Sequence, residues 1–249
     1  MTALATRQAQ HNARAPASRD RPAYLRPVPP SCDAATIAAE LDDIGSLITY
    51  PRDKTVVQES DRVDHIFKVV SGALRSVRLL ADGRRCVTNF LLPGDFFGFL
   101  DGDHAAHTIE TLGDVRLVRY SRAAFEALLD RNPRAVRHFF DMMCGKLSAA
   151  QDRLVLLGRK SALERLSTFL LAMAEHDSAG VSAQHAVELP MNRTDIADYL
   201  GLTVETVSRF LTQLRSRGII DLRSANQIVL LNPTRLRDIS ESEIRAAHS

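Results

Sequence analysis

Residues 189–231 read LPMNRTDIADYLGLTVETVSRFLTQLRSRGIIDLRSANQIVLL. Ile196, Ala197 and Leu200 recur there at helical spacing behind Asn192 and Thr194, either of which can cap a helix by accepting from a free amide of its first turn. Gly201 permits a sharp turn, and Thr203 caps a second helix whose Val207, Phe210, Leu211 and Leu214 form the inward stripe. Two short helices joined through a glycine make a helix-turn-helix. Gly218 ends the second helix, and residues 219–223 and 227–231 read as two short strands around Ala225-Asn226, the wing of a winged helix.

Burying those apolar positions leaves Val204, Glu205, Ser208 and Arg209 together on the outer, N-terminal face of the second helix, where a recognition helix meets base edges. Arg209 can donate a bidentate pair to guanine O6 and N7. Glu205 can accept from cytosine N4 and orient Arg209, and Ser208 can reach a neighbouring base. Asn192, Arg193, Thr203 and Thr206 stand where short donors meet phosphate. Residues 190–237 carry seven arginines against Asp195, Asp198, Glu205 and Asp221, a local basic excess in a chain whose net charge is only +2. The expected partner is double-stranded DNA. A helix-turn-helix that docks protein, with Glu205 and Arg209 as an ordinary i, i+4 ion pair, is the alternative.

Upstream the pattern changes twice. Between 46 and 120, short apolar runs are broken by Gly72, Gly83, Gly94, Gly98, Gly102 and Gly113, which argues for many short strands in a roll or sandwich. Asp82-Gly83 between apolar runs is a hairpin signal. Ser121 then caps a helix and Asn132-Pro133 stops and restarts it. Phe140, Met143, Leu147, Ala150, Leu154 and Leu157 follow at alternating spacings of 3 and 4, the narrow seam of a helix that supercoils with a second copy; a helix packed on the chain's own β domain is the alternative. A further amphipathic helix covers 161–175, and 177–184 is a polar loop. Residues 1–30 carry Arg7, Arg14, Arg19, Arg21 and Arg26 against Asp20 and read as a flexible tail.

With 249 residues, 45% hydrophobic and 25% charged, the chain is an ordinary globular protein of about two domains. It has no apolar run of the ~20 residues that cross a bilayer and no secretory signal, so a cytoplasmic protein without a membrane partner is expected. Cys32, Cys86 and Cys144 are far apart and include no C-x-x-C pair, which argues against structural disulfides and zinc. His104 and His107, near Asp101 and Asp103, are candidate haem or metal ligands without a third partner. No nucleophile elbow, P-loop, H-E-x-x-H or dinucleotide fingerprint occurs, and no enzyme is expected.

The order of β-roll, long dimer helix and winged helix resembles the CRP/FNR superfamily of bacterial transcription regulators over about 40–237. LPGDFFGF at 92–99 is similar to the family's roll signature, and DIADYLGLTVETVSRFLTQLRSRGII at 195–220 to its recognition element. Glu205, Ser208 and Arg209 fall on the E-x-x-S-R of the FNR and FixK-like branches. The resemblance implies an α+β fold: a tail at 1–30, a cyclic-nucleotide-binding-like β-roll at 31–132, a dimerisation helix at 133–158, a winged helix-turn-helix at 159–237 and a C-terminal tail at 238–249. It implies a homodimer reading an inverted repeat with TTGAT or TTGAC half-sites, and an RNA polymerase contact at the roll hairpin, here Asp82, Arg84 and Arg85. Phe99 stands where the cyclic-nucleotide branch has a glutamate, and Ala105-Ala106 where it has an Arg-Ser pair. Three cysteines cannot supply the four thiolates of an FNR-type cluster. The FixK-like branch, which lacks both signatures, is the nearest match, and no cofactor is expected. A haem- or ligand-dependent sensor of the same fold is the alternative.

Overall fold

A computed structural model describes residues 34–99, 104–177 and 186–241. The tail at 1–30, Cys32, Asp101, Asp103 and the end of the expected C-terminal tail lie outside the described residues.

The roll is two antiparallel sheets. Strands β1 (Gly45–Tyr50), β3 (His65–Ser71), β6 (Phe96–Phe97) and β8 (Val115–Ser121) form one, in the order β1-β8-β3-β6. Strands β2 (Thr55–Val57), β4 (Leu74–Leu79), β5 (Arg85–Leu91) and β7 (Thr108–Thr111) form the other, in the order β2-β7-β4-β5. Val69, Leu74, Leu91, Val115 and Leu117 close the core between them. The Asp82-Gly83 hairpin joins β4 to β5 as expected, and the Leu80 amide donates the closing backbone bond to the Arg84 carbonyl at 2.8 Å. Gly98, at φ +91°, follows β6 where a Cβ would come within 2.5 Å of the His65 carbonyl, so only glycine fits there.

Helix α1 (Ala34–Ile44), absent from the sequence reading, precedes the roll and packs Ile37 and Leu41 under α2 (Arg122–Arg131) and α3 (Pro133–Arg159). Asn132 serves both neighbours: it ends α2, and its side-chain oxygen accepts from the Arg134 and Ala135 amides to begin α3. Its amide nitrogen also donates to Glu40 of α1 at 2.7 Å. Along α3, Ala135, Phe139 and Met142 face the roll, where Phe139 meets Phe125 edge-on at 4.8 Å and Phe96 at 5.3 Å. Lys146 fixes the same helix to the glycine-rich turn through Asp95 at 3.3 Å.

After a two-residue joint, α4 (Ala162–Asp177) opens with a capping box in which Ser161 and Glu164 bond each other reciprocally. Helices α5 (Arg193–Leu200) and α6 (Val204–Ser216) follow, then β10 (Ile220–Leu222), β11 (Gln227–Leu230) and α7 (Pro233–Ser240). The wing has a third strand that the sequence did not reveal: β9 (Ala186–Glu188) pairs with β11, in the order β10-β11-β9. The expected boundary at 237 falls inside α7, whose Leu236 and Ser240 are buried and which packs on α4. Leu166, Phe169, Leu200, Val207, Leu211 and Leu214 form the centre of this unit. Among the described residues, no helix is long and apolar enough to cross a membrane.

Candidate DNA interface

Each helix of the pair is built from its cap inward. Asn192 caps α5 by accepting from the Asp195 amide at 2.8 Å, and Gly201 ends it in the left-handed region at φ +63°. Thr203 caps α6 by accepting from the Thr206 amide at 3.2 Å. Val207, Leu211 and Leu214 are buried, which turns Val204, Glu205, Arg209 and Thr212 to solvent and leaves Ser208 half-buried. Arg209 extends over the Phe210 ring at 5.1 Å and forms no ion pair with Glu205 among the described residues. Glu205 instead accepts from its own amide and the Thr203 side chain, which hold its carboxyl below the ordinary range, so it stands ionised beside the helix N-terminus. Arg193 reaches across the turn and donates to Ser208 at 3.3 Å, linking an expected phosphate contact to an expected base contact. Thr206 shares a hydroxyl–hydroxyl bond of 3.0 Å with Thr203. The base-reading and phosphate-contacting candidates therefore converge on one surface around the start of α6.

The second sequence-derived surface lies on α3. Phe140, Leu147 and Leu154 are 64%, 62% and 73% exposed, Ala150 is exposed too, and Val136 extends the stripe one turn upstream. Met143 packs partly on the roll, and Leu157 turns toward Gly201 at the joint. A contiguous apolar stripe of this length on an isolated chain is the signature of an association surface.

At the hairpin, Asp82 accepts from the Arg84 amide at 3.0 Å and pairs with its guanidinium at 2.7 Å, and these bonds hold the carboxyl below the ordinary range. Arg85 points elsewhere: it reaches Asp195 of α5 at 2.9 Å. Asp195, one of the four acids counted against the seven arginines of 190–237, is buried. Nearby Asp198 is raised by burial, opposed by Arg85.

A cleft of about 1030 Å³ between roll and α3 is lined by Lys68, Phe99, Ala105, Ala106, His107 and Lys146, among others. Phe99 stands against Phe125 at 5.9 Å and Phe139 at 6.2 Å, completing an aromatic cluster. Phe99, Ala105 and Ala106 supply neither an acceptor for a ribose hydroxyl nor a cation for a cyclic phosphate, so these positions do not fit a cyclic nucleotide. His104 is exposed and bridges Arg62 through backbone. His107 is half-buried, and burial lowers its imidazole, reinforced by Arg78 and opposed by Glu59. Among the described residues no group of three His, Cys, Asp or Glu side chains could hold a metal. Cys86 is half-buried on β5, and Cys144 is exposed on α3.

Residues 164–239 match the Crp-like helix-turn-helix domain, and residues 47–132 the cyclic nucleotide-binding domain. The chain is 38% identical over 211 residues to the nitrogen fixation regulation protein FixK of Bradyrhizobium diazoefficiens, spanning 84% of this chain and 88% of that one. It is 31% identical over 221 residues to the transcriptional activator protein FnrL of Cereibacter sphaeroides, spanning 87% and 89%. The structure of FixK2 from Bradyrhizobium japonicum superposes with a TM-score of 0.73 at 40% identity, over 79% of this chain and 97% of that one.

Proposed function

The chain belongs to the CRP/FNR family of transcription regulators, on its FixK-like branch, and we propose that it works as a homodimeric activator reading an inverted repeat of TTGAT or TTGAC half-sites. It carries a helix-turn-helix DNA-binding domain and is a regulator, not an enzyme. The observation that carries the finer reading is the open face of α6: Glu205 and Arg209 are exposed and without an ion pair to each other, next to Ser208. Arg209 takes guanine, Glu205 takes cytosine N4, and Arg193, Asn192, Thr203 and Thr206 meet the phosphates. The α3 stripe supports pairing with a second copy, which would present two reading heads about one helical turn (~34 Å) apart.

Titration onto a palindromic duplex and onto one carrying a single half-site, at several salt concentrations, tests this. We expect a dimer, a strong palindrome preference and an affinity that falls as salt rises. A monomer at micromolar concentration, or equal affinity for both duplexes, would defeat the reading. Binding should need no added small molecule, because Phe99, Ala105 and Ala106 replace the cyclic-nucleotide contacts. The size of the cleft favours a second reading, a regulator controlled by some other ligand, which would bind DNA only after cell extract is restored.

An activator also needs a polymerase-facing surface. Asp82 and Arg84 at the hairpin tip supply the exposed charges of that surface, whereas Arg85 is engaged by Asp195. Asp82→Ala with Arg84→Ala should abolish activation in a reconstituted transcription assay and leave DNA affinity intact. Unchanged activation would remove the hairpin from the polymerase contact.

A further inference from the structure

Asp195 is an acid in the first turn of α5, and it is 1% exposed. Its charge is balanced from outside the DNA-binding unit. Arg75 of β4 donates through Nη1 to both carboxylate oxygens, at 3.0 and 3.1 Å, and Arg85 of β5 donates through Nη2 at 2.9 Å. Arg75 also donates through Nε to Glu110 of β7 at 2.8 Å, and Arg85 lies 3.6 Å from the same carboxylate. Two cations and two carboxylates thus close a compact, mostly buried network between the roll and α5. One turn along α5, Tyr199 is clamped in the same direction. Arg153 of α3 lies over its ring at 4.1 Å and donates to both the Tyr199 and the Val87 carbonyls at 3.1 Å. Phe90 of β5 packs against the ring at a tilt from the roll at 5.0 Å, and Phe169 of α4 does so at 5.8 Å.

An apolar contact alone tolerates sliding. A guanidinium that shares its nitrogens between two carboxylates, Nη1 on Asp195 and Nε on Glu110, fixes direction as well as distance, and the buried charges are matched in only one pose. In that pose Val204, Glu205 and Arg209 of α6 are exposed among the described residues, so docking and DNA access are compatible.

We propose that Asp195 and Tyr199 are positioning residues for DNA recognition: with Arg75, Arg85 and Arg153 they dock the DNA-binding unit on the roll and α3, so that both reading heads of a dimer meet a palindrome together. This rests on the dimer reading given above. A head freed from its dock still binds one half-site, because the reading face belongs to α6. What it loses is the high effective concentration of the second head at the second half-site.

The test compares wild type with Asp195→Asn, which removes the charge, and with Arg75→Gln, which makes the cut in the roll, far from the reading helix. Affinity is measured on the palindrome and on the single half-site, and amide exchange is followed in α5 and β5 of the free protein. For both variants we expect at least tenfold weaker palindrome binding, less than twofold change on the half-site, and faster exchange in α5 and β5. Tyr199→Leu should act in the same direction. Tyr199→Phe, which removes only a hydroxyl without a hydrogen-bond partner, should change nothing. Equal losses on both duplexes, or wild-type palindrome affinity with unchanged exchange in Arg75→Gln, would overturn the proposal. If wild type itself showed no palindrome preference, the dimer reading would fall, while the exchange data would still decide whether the dock exists.

Discussion

Helices α3 and α6 each bury one face and leave the other open, and the open faces have opposite chemistry. On α3 the exposed stripe is Phe140, Leu147 and Leu154; on α6 it is Glu205, Arg209 and Thr212. An apolar stripe is relieved only by another apolar surface, and a second copy of the same helix supplies one with matched length. Exposed charges and hydroxyls, by contrast, call for a partner that presents a fixed lattice of complementary groups, as a DNA groove does. On the proposed function, one chain carries a surface for its own kind and another for a different polymer, and the surfaces can be broken separately.

The largest effect should come from Leu147→Glu with Leu154→Glu. Four leucines per dimer, at about 1.5–3 kcal/mol each, remove on the order of 6–12 kcal/mol of association, so sedimentation should show a monomer and palindrome preference should vanish. Persistence of the dimer would mean that the stripe serves another purpose. Arg209→Ala comes next, at about 1–3 kcal/mol per half-site, with relaxed discrimination at one base pair and no change in sedimentation. A variant that still rejects a site altered at that guanine would show that Arg209 reads something else. Arg193→Ala should be milder and indifferent to sequence, lowering the salt slope by about one per half-site. A selective loss at one base pair would instead mean that Arg193 acts through Ser208, to which it is bonded.

The smallest effect belongs to neither surface and so serves as a control on both. Burial depresses His107 below its ordinary value of 6.5, so just below that value the unfolded chain binds more protons than the folded one. Stability should be full above pH 6.5 and fall as the pH drops through the window beneath it. His107→Gln should flatten that slope in thermal melts recorded between pH 7 and 5, with dimerisation and DNA affinity unchanged at neutral pH. An unaltered slope would assign the pH dependence to other groups.

The helix-turn-helix was legible because its signals are local: Asn192, Gly201 and Thr203 mark the ends, and the apolar stripes lie between them. The same holds for the Asp82-Gly83 hairpin and for the long helix α3 that follows Asn132-Pro133. Helix α1 escaped because its Ile37, Leu41 and Ile44 are too few to display a period. Strand β9 is three residues long, too short to show alternation. The dock on α5 was hidden for a different reason. An acid in the first turn of a helix is ordinary dipole chemistry, so Asp195 gives no local sign of burial. Its partners Arg75 and Arg85 lie 120 and 110 residues away. No window along the chain contains both ends of that bond.

The joint between α3 and α4 is only Lys160 and Ser161, and Arg165 pins it by donating to the carbonyls of Leu157 and Lys160 on one side and Leu200 on the other. A 27-residue helix is roughly 40 Å long. A tilt of about 3° over that length displaces one end by about 2 Å relative to the other. That is most of the length of a hydrogen bond. Arg153, bonded to the Val87 carbonyl of the roll and the Tyr199 carbonyl of α5, holds the joint end of the helix against such a tilt, which on the proposed function is the difference between meeting a base edge and missing it.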